Sequence, residues 1–180
     1  GSVGGDRLAQ INDELRGQAD VDTQTPWLPL ESNPEVFSTF GHKIGMPESW
    51  RFVDVLGLDP ELLAMVQSPR VAAVILLFPC SKAIYRVRAQ EERQLRQWQD
   101  GADASSPKPC DQAFFLLQHA SFGNACGTIA AVHAISNGRA AFGGFTPQND
   151  AQAPPMETFV DANVDASPAE RGHSLLQSKA

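Results

Sequence analysis

Cys126 lies in Asn124-Ala125-Cys126-Gly127-Thr128, and an apolar run of helical period, Ile129-Ala130-Ala131-Val132-His133-Ala134-Ile135, follows at once. A cysteine at the point where a loop becomes a buried helix has its sulfur close to unpaired backbone N–H groups. The positive end of the helix dipole then favours thiolate over thiol. Thiolate is the nucleophilic form, so this placement predicts a reactive cysteine. The competing reading is a small hydrophobe that opens a core helix. Gln118 lies upstream at the end of an apolar segment. Its amide N–H could donate to the oxygen of a tetrahedral intermediate, with the Cys126 N–H as a second donor. Such donors meet charge that develops in the transition state and contribute about 3–4 kcal/mol each. A cysteine hydrolase also needs a base, usually His, and an Asp or Asn that orients it. His119 adjoins the glutamine and His133 is two turns beyond Cys126. Neither is placed to take the thiol proton, and they read as a loop histidine and a packed helix histidine.

The elements that must position these groups are legible in caps and periodicity. Asn33-Pro34-Glu35 is a helix start, with Asn as N-cap and Pro at the first helical position, and Gly41 or Gly45 ends that helix. Trp50 to Leu56 alternates as a strand. Asp59-Pro60-Glu61 opens a short helix through Val66, which Ser68-Pro69 breaks. Val71 to Phe78 is a continuous β-branched and leucine run and reads as a fully buried central strand. Ile84 to Asp100 is a charged helix with Ile84, Val87, Leu95 and Trp98 as its buried positions, and Glu91-Glu92-Arg93 is a solvated face. Asp111 to Leu117 reads as a short strand or turn leading to Gln118. The helix from Cys126 is expected to stop at Asn137-Gly138. Met156 to Val164 reads as helix, and Ser167-Pro168-Ala169-Glu170 is a capping box that starts another. Residues 1–25 are a polar, flexible leader in which Gly1-Ser2 reads as a tag remnant, and a short helix at Arg7 to Leu15 is the weaker alternative to a loosely held stretch. Helices alternating with strands, one of them all-apolar, indicate α/β or α+β architecture with helices on both faces of a sheet. With three or four strands, that sheet looks unfinished.

Composition narrows the function classes. The chain has 180 residues, 42% of them apolar, and a net charge of −7. An acidic balance argues against nucleic-acid binding, and no apolar run has membrane-span length. Cys80, Cys110 and Cys126 are odd in number and lack Cys-x-x-Cys spacing, so a disulfide framework and a zinc ribbon are disfavoured. A reducing, cytoplasmic setting is expected, with nuclear presence left open. His42, His119, His133 and His173 make no metal-ligand pattern, and no phosphate-binding glycine loop is present. No cofactor is implied.

These residues resemble the ubiquitin C-terminal hydrolases, cysteine proteases with a papain-like arrangement. The resemblance runs from about Trp27 to the end. It is carried by Trp27-Leu28-Pro29-Leu30-Glu31-Ser32-Asn33-Pro34-Glu35-Val36, Trp50-Arg51-Phe52-Val53-Asp54-Val55, Asp59-Pro60-Glu61-Leu62-Leu63, Val74 to Pro79, Asn124 to Thr128, and Ser167-Pro168-Ala169-Glu170-Arg171, in that order. It is closest to the small, single-domain members. The resemblance implies an α+β, papain-like fold with a central, mostly antiparallel sheet flanked by helices on both faces. Residues 26–180 would form the larger, N-terminal part of the catalytic domain. It implies Cys126 as nucleophile, Gln118 as oxyanion-hole donor, and ubiquitin across Leu28, Pro29, Leu30, Glu31 and Ser32 and near Asn124. The implied reaction cleaves adducts or peptides from the C-terminal glycine of ubiquitin through an acyl-enzyme on sulfur.

Two departures from that pattern bear on activity. Ala120 stands where the family carries its glutamine, and Gln118 is two residues further upstream. Ser121-Phe122-Gly123 would absorb the extra length as a bulge or turn. The family's catalytic His and Asp lie beyond a loop that would begin about where this sequence stops, and no matching segment is found here. A complementary C-terminal chain supplying both would account for this, and so would truncation of the sequence; such a chain is the one partner expected besides ubiquitin. Two alternatives stand beside the hydrolase: an inactive ubiquitin-binding module, and a thiol hydrolase for another ubiquitin-like modifier.

Overall fold

A computed structural model of the chain describes residues 30, 32–66, 70–79, 81–100, 113–118, 122–147 and 152–178. The leader, its short helix, Trp27, Cys80, Cys110 and His119 lie outside the described residues. The chain forms two compact units, one of Gly1–Val74 with Phe114–Ala180 and one of Ile75–Ala113. Six helices are present among the described residues: α1 (Pro34–Ile44), α2 (Pro60–Ala64), α3 (Lys82–Asp100), α4 (Cys126–Phe142), α5 (Pro155–Ala162) and α6 (Pro168–Gln177).

Local chemistry sets most helix ends where the sequence puts them. Asn33 Oδ1 accepts from the Glu35 and Val36 N–H groups at 2.8 and 3.4 Å, with Pro34 at the first helical position of α1. Gly45, at φ 116°, ends α1, and the Gly45 and Met46 N–H groups return to the His42 and Gly41 carbonyls. That left-handed cap needs a residue without a Cβ. Gly41 is instead buried inside α1. Asp59 caps α2, which stops at Ala64, short of the expected Val66. Both halves of the Ser167–Glu170 capping box form at the start of α6. The helix from Cys126 runs past Asn137-Gly138 to Phe142, where Gly143 and Gly144 take φ of 77° and 117° and cap it. Gly138 stays helical and buried, with the Phe142 ring folded back over its Cα. A glycine ends a helix only when nothing holds its backbone helical, and here Gly138 is buried within the helix and covered by a ring one turn further on.

The core of the first unit gathers Met46, Phe114, Leu116, Phe122, Ala125, Ile129, Val132, Ile135, Met156 and Leu175. Half-buried Trp50 meets the edge of Phe142 at 4.9 Å between centroids, and Phe114 meets Phe159 at 5.9 Å. Arg139 of α4 reaches Glu157 and Asp161 of α5 at 2.9 Å each. In the second unit, the Arg88 guanidinium of α3 lies 5.7 Å over the Phe78 ring. Ile84 is half-buried and Val87 exposed, and Glu91, Glu92 and Arg93 face solvent. The side chains of Leu95 and Trp98 lie outside the described residues.

The sheet is where expectation and structure part. No β-strand is assigned among the described residues. Trp50 to Leu56 is irregular: the Phe52 N–H is held by Ser38 Oγ at 2.9 Å, while Val53, Val55 and Leu56 are exposed. Val71 to Phe78 is not a buried strand, since Val74, Leu76 and Leu77 are 80, 78 and 71% exposed. Apolar content gives a segment the tendency to be buried. Burial itself needs neighbouring strands to pair its backbone and other layers to cover its faces.

Candidate active site

Cys126 is the first residue of α4, carries a free thiol and is exposed. The turns that follow are anchored: Thr128, Ile129, Ala131, Val132, Ala134 and Ile135 are buried. The nucleophile candidate is thus an exposed group on the end of a rigid buried helix. Its N-cap, Ala125, offers no side-chain oxygen, so no such cap competes for the first-turn N–H groups beside the sulfur. Unpaired N–H groups at a helix start suit an anion.

The loop leading into α4 is pinned by Phe122, whose side chain is fully buried, and turned by Gly123 at φ 65°. Gly123 belongs to the Ser121-Phe122-Gly123 stretch in which the sequence predicts a bulge or turn. Gln118 is exposed and its Nε2 donates to the Gly123 carbonyl at 3.0 Å. The amide therefore spans the loop and ends three residues before Cys126. One amide hydrogen is used in that bond, and the other is left for a further acceptor. Asn124, also exposed, lies between Gly123 and the cysteine.

Leu30 stands against the residue after the nucleophile: a Cβ placed on Gly127 would come 3.0 Å from Leu30 Cβ and 3.5 Å from the Phe37 ring. Glycine allows this approach without displacement, whereas a Cβ would require Leu30 to give way by a few tenths of an ångström. Ser32 is exposed. Leu28, Pro29 and Glu31 lie outside the described residues. Of the expected substrate-contacting segment, Leu30 is thereby brought beside the Cys126 turn.

The histidines have other engagements. His133 Nε2 accepts the Leu116 N–H at 3.1 Å, and its ring stacks on Phe115 at 5.0 Å. Burial pushes its pKa below the ordinary imidazole value. Accepting that N–H requires a neutral ring, so His133 is a fixed structural acceptor. His42 Nε2 lies 2.8 Å from the Trp50 carbonyl, and His173 Nε2 2.8 Å from the Gln177 amide. No histidine among the described residues is seen bonded to Cys126.

Sequence reasoning left Asn137 and Arg171 without roles at this site. Asn137 Oδ1 accepts the Phe114 N–H at 2.8 Å, and its Nδ2 donates to the Phe114 carbonyl at 2.9 Å. Arg171 Nη1 donates to the Phe115 carbonyl at 3.1 Å, and its Cζ lies 4.5 Å over the Phe114 ring. Asn137 follows His133 by one helical turn, which puts both on the face of α4 that meets the Phe114–Leu117 segment. That spacing was the available signal.

Comparison with known proteins matches residues 27–180 to the family described as ubiquitin carboxyl-terminal hydrolase, family 1. A ubiquitin carboxyl-terminal hydrolase of Aplysia californica is 40% identical over 151 residues, 84% of this chain and 60% of that protein. A probable ubiquitin carboxyl-terminal hydrolase of Dictyostelium discoideum is 36% identical over 162 residues, 88% of this chain and 56% of that protein. One from Drosophila melanogaster is 34% identical over 149 residues, 83% of this chain and 58% of that protein. The chain thus spans somewhat under two thirds of the length of these curated relatives. With a family match over most of its residues and an exposed cysteine opening a buried helix, this chain belongs to the ubiquitin carboxyl-terminal hydrolase family 1.

Proposed function

We propose that residues 26–180 are the larger, nucleophile-bearing part of a cysteine-type ubiquitin C-terminal hydrolase domain of papain-like architecture. The observation that carries this is Cys126, an exposed thiol on the first residue of a helix whose next turns are core. The names of the relatives supply the substrate, the carboxyl terminus of ubiquitin, and the bond cleaved is proposed to be an amide, ester or thioester at its last glycine. Cys126 Sγ attacks the C-terminal glycine carbonyl carbon and forms the S–C bond. The carbonyl electron pair moves onto oxygen, where the Cys126 N–H and the second Gln118 amide hydrogen receive it. Collapse expels the leaving group with a proton, and water then cleaves the thioester to return the thiol and the ubiquitin carboxylate. Leu30, beside Gly127, is assigned to ubiquitin contact with Ser32 and Asn124, and the family resemblance alone adds Leu28, Pro29 and Glu31 to that set.

The proton transfers need a His and its Asp partner, and we assign both to residues outside this chain. The engagement of His133 with Leu116 supports that assignment. So does the exposed apolar run at Val74, Leu76 and Leu77, which further strands of a catalytic domain would cover. The same occupied imidazole favours a second reading, a ubiquitin-binding module without turnover.

Intact mass spectrometry after incubation with ubiquitin carrying a C-terminal electrophile tests the first step, with Cys126→Ala as control. One ubiquitin adduct that is lost in the variant supports the hydrolase reading. A folded chain that binds ubiquitin but forms no adduct moves the binding-module reading to first place. Hydrolysis that is not restored when a segment carrying the His and Asp is added in trans counts against the assignment of the base.

A further inference from the structure

The four residues before Gln118 make their backbone hydrogen bonds alternately to two helices. Phe114 exchanges two bonds with the Asn137 side chain of α4. The Phe115 carbonyl accepts from Arg171 of α6. The Leu116 N–H donates to His133 of α4 at 3.1 Å, and the Leu117 N–H donates to the Pro168 carbonyl of α6 at 2.8 Å. Side chains and a helix start thus occupy sites that strand neighbours fill in a sheet. Burial alternates accordingly: Phe114 and Leu116 are 9 and 1% exposed, Phe115 and Leu117 48 and 51%. Arg171 is itself fixed, since Nε and Nη2 donate to the Asn163 and Val164 carbonyls at 2.9 and 2.6 Å. Gly172 presses on the Leu117 carbonyl so closely that a Cβ would meet it.

We propose that Asn137 and Arg171 are positioning residues for Gln118, holding the Phe114–Leu117 backbone in the one register that brings the Gln118 amide to the Gly123 carbonyl. A slip of one residue would turn Phe115 and Leu117 inward and carry Gln118 about 3.3 Å along the chain. The amide would then lose its bond to the Gly123 carbonyl, three residues before Cys126. The functional consequence rests on the reading of Gln118 as an oxyanion donor.

The experiment is heteronuclear NMR of the 180-residue chain, with the Gln118 side-chain amide assigned through Gln118→Ala. In the unaltered protein, couplings across the hydrogen bonds from Leu116 N–H to His133 Nε2 and from the Gln118 amide to the Gly123 carbonyl are expected. If neither is present, the clamp does not exist and the proposal falls, whatever the variants do. Asn137→Asp keeps the acceptor and loses the donor; Arg171→Lys keeps the charge and loses the fork. Each is expected to shift the Gln118 amide signals and remove the Gly123 coupling, while the Val132 and Ile135 methyl signals stay in place. Gln118 signals unmoved in both variants, with the Phe114 and Leu116 amides displaced, would overturn the proposal.

A second arm uses ubiquitin with a C-terminal aldehyde. Cys126 sulfur adds to the aldehyde carbon, the carbonyl pair moves to oxygen, and that oxygen takes the thiol proton. Gln118→Ala should weaken this reversible adduct about 10²-fold. The two positioning variants should weaken it by up to a similar factor, as misplacement by about 1 Å does. Adduct strength unchanged in Gln118→Ala refutes the oxyanion reading alone, and the NMR result still decides the positioning.

Discussion

Replacing Asn137 with alanine sets two physical effects against each other, and the sign of the stability change tells which one governs. Asn137 is an exposed residue within α4, so helix propensity alone predicts that alanine stabilises by about 0.6 kcal/mol. The structure predicts the opposite. Asn137 holds both backbone groups of Phe114, at 2.8 and 2.9 Å, and bonds the His133 carbonyl at 2.8 Å. The two Phe114 bonds are worth about 0.5–1.5 kcal/mol each, and more where the released groups stay dry. Phe114 is only 9% exposed, so its N–H and C=O have little water to turn to. Two bonds near the upper part of that range, less the propensity gain, give a net destabilisation of about 2 kcal/mol. For a chain of this size that lowers Tm by about 4–8 °C. Urea unfolding followed by circular dichroism measures it, and hydrogen exchange at the Phe114 amide should quicken by about the factor of 30 that the same free energy implies. An unchanged or higher urea midpoint in Asn137→Ala, with Phe114 exchange still slow, would refute the reasoning: the segment would then be held by its own burial and not by α4.

Further outcomes follow from single features. His133 is held neutral in the fold, so below pH 6.5 the unfolded chain binds the proton more readily. Stability should therefore fall as pH drops through that value, and His133→Gln should flatten the slope in a pH series of urea midpoints. Phe122→Ala empties a fully buried site in the loop before Cys126 and should destabilise by about 3–5 kcal/mol with the urea m-value unchanged. Ser167→Ala removes the N-cap of α6 and should lower stability by about 1 kcal/mol in the same assay. The Ser167 side chain and backbone hold the Glu170 carboxyl below its ordinary pKa. The difference between wild type and Ser167→Ala should accordingly be present at neutral pH and shrink as the solution is acidified through the Glu170 titration.

The local chemistry of this protein is readable from its chain. Asn33-Pro34, Asp59-Pro60 and Ser167-Pro168-Ala169-Glu170 each bring the donor, acceptor and fixed φ of a helix start within four residues, so no distant contact is needed to form them. Cys126 is legible for the same reason: the loop, the cysteine and the apolar helix that anchors it are contiguous. Features that depend on partners far along the chain were not legible. Whether Gly138 ended a helix depended on the packing that buries α4, and the helix continued to Phe142. Whether Val71 to Phe78 was buried depended on neighbouring strands, and the run is exposed. Asn137 reads as a helix stop and Arg171 as part of a helix start until the Phe114–Leu117 backbone is laid between α4 and α6, where both hold that backbone. Local hydrogen bonds are written in adjacent residues, but register and burial are agreements between distant segments, and only the tertiary structure brings those segments together.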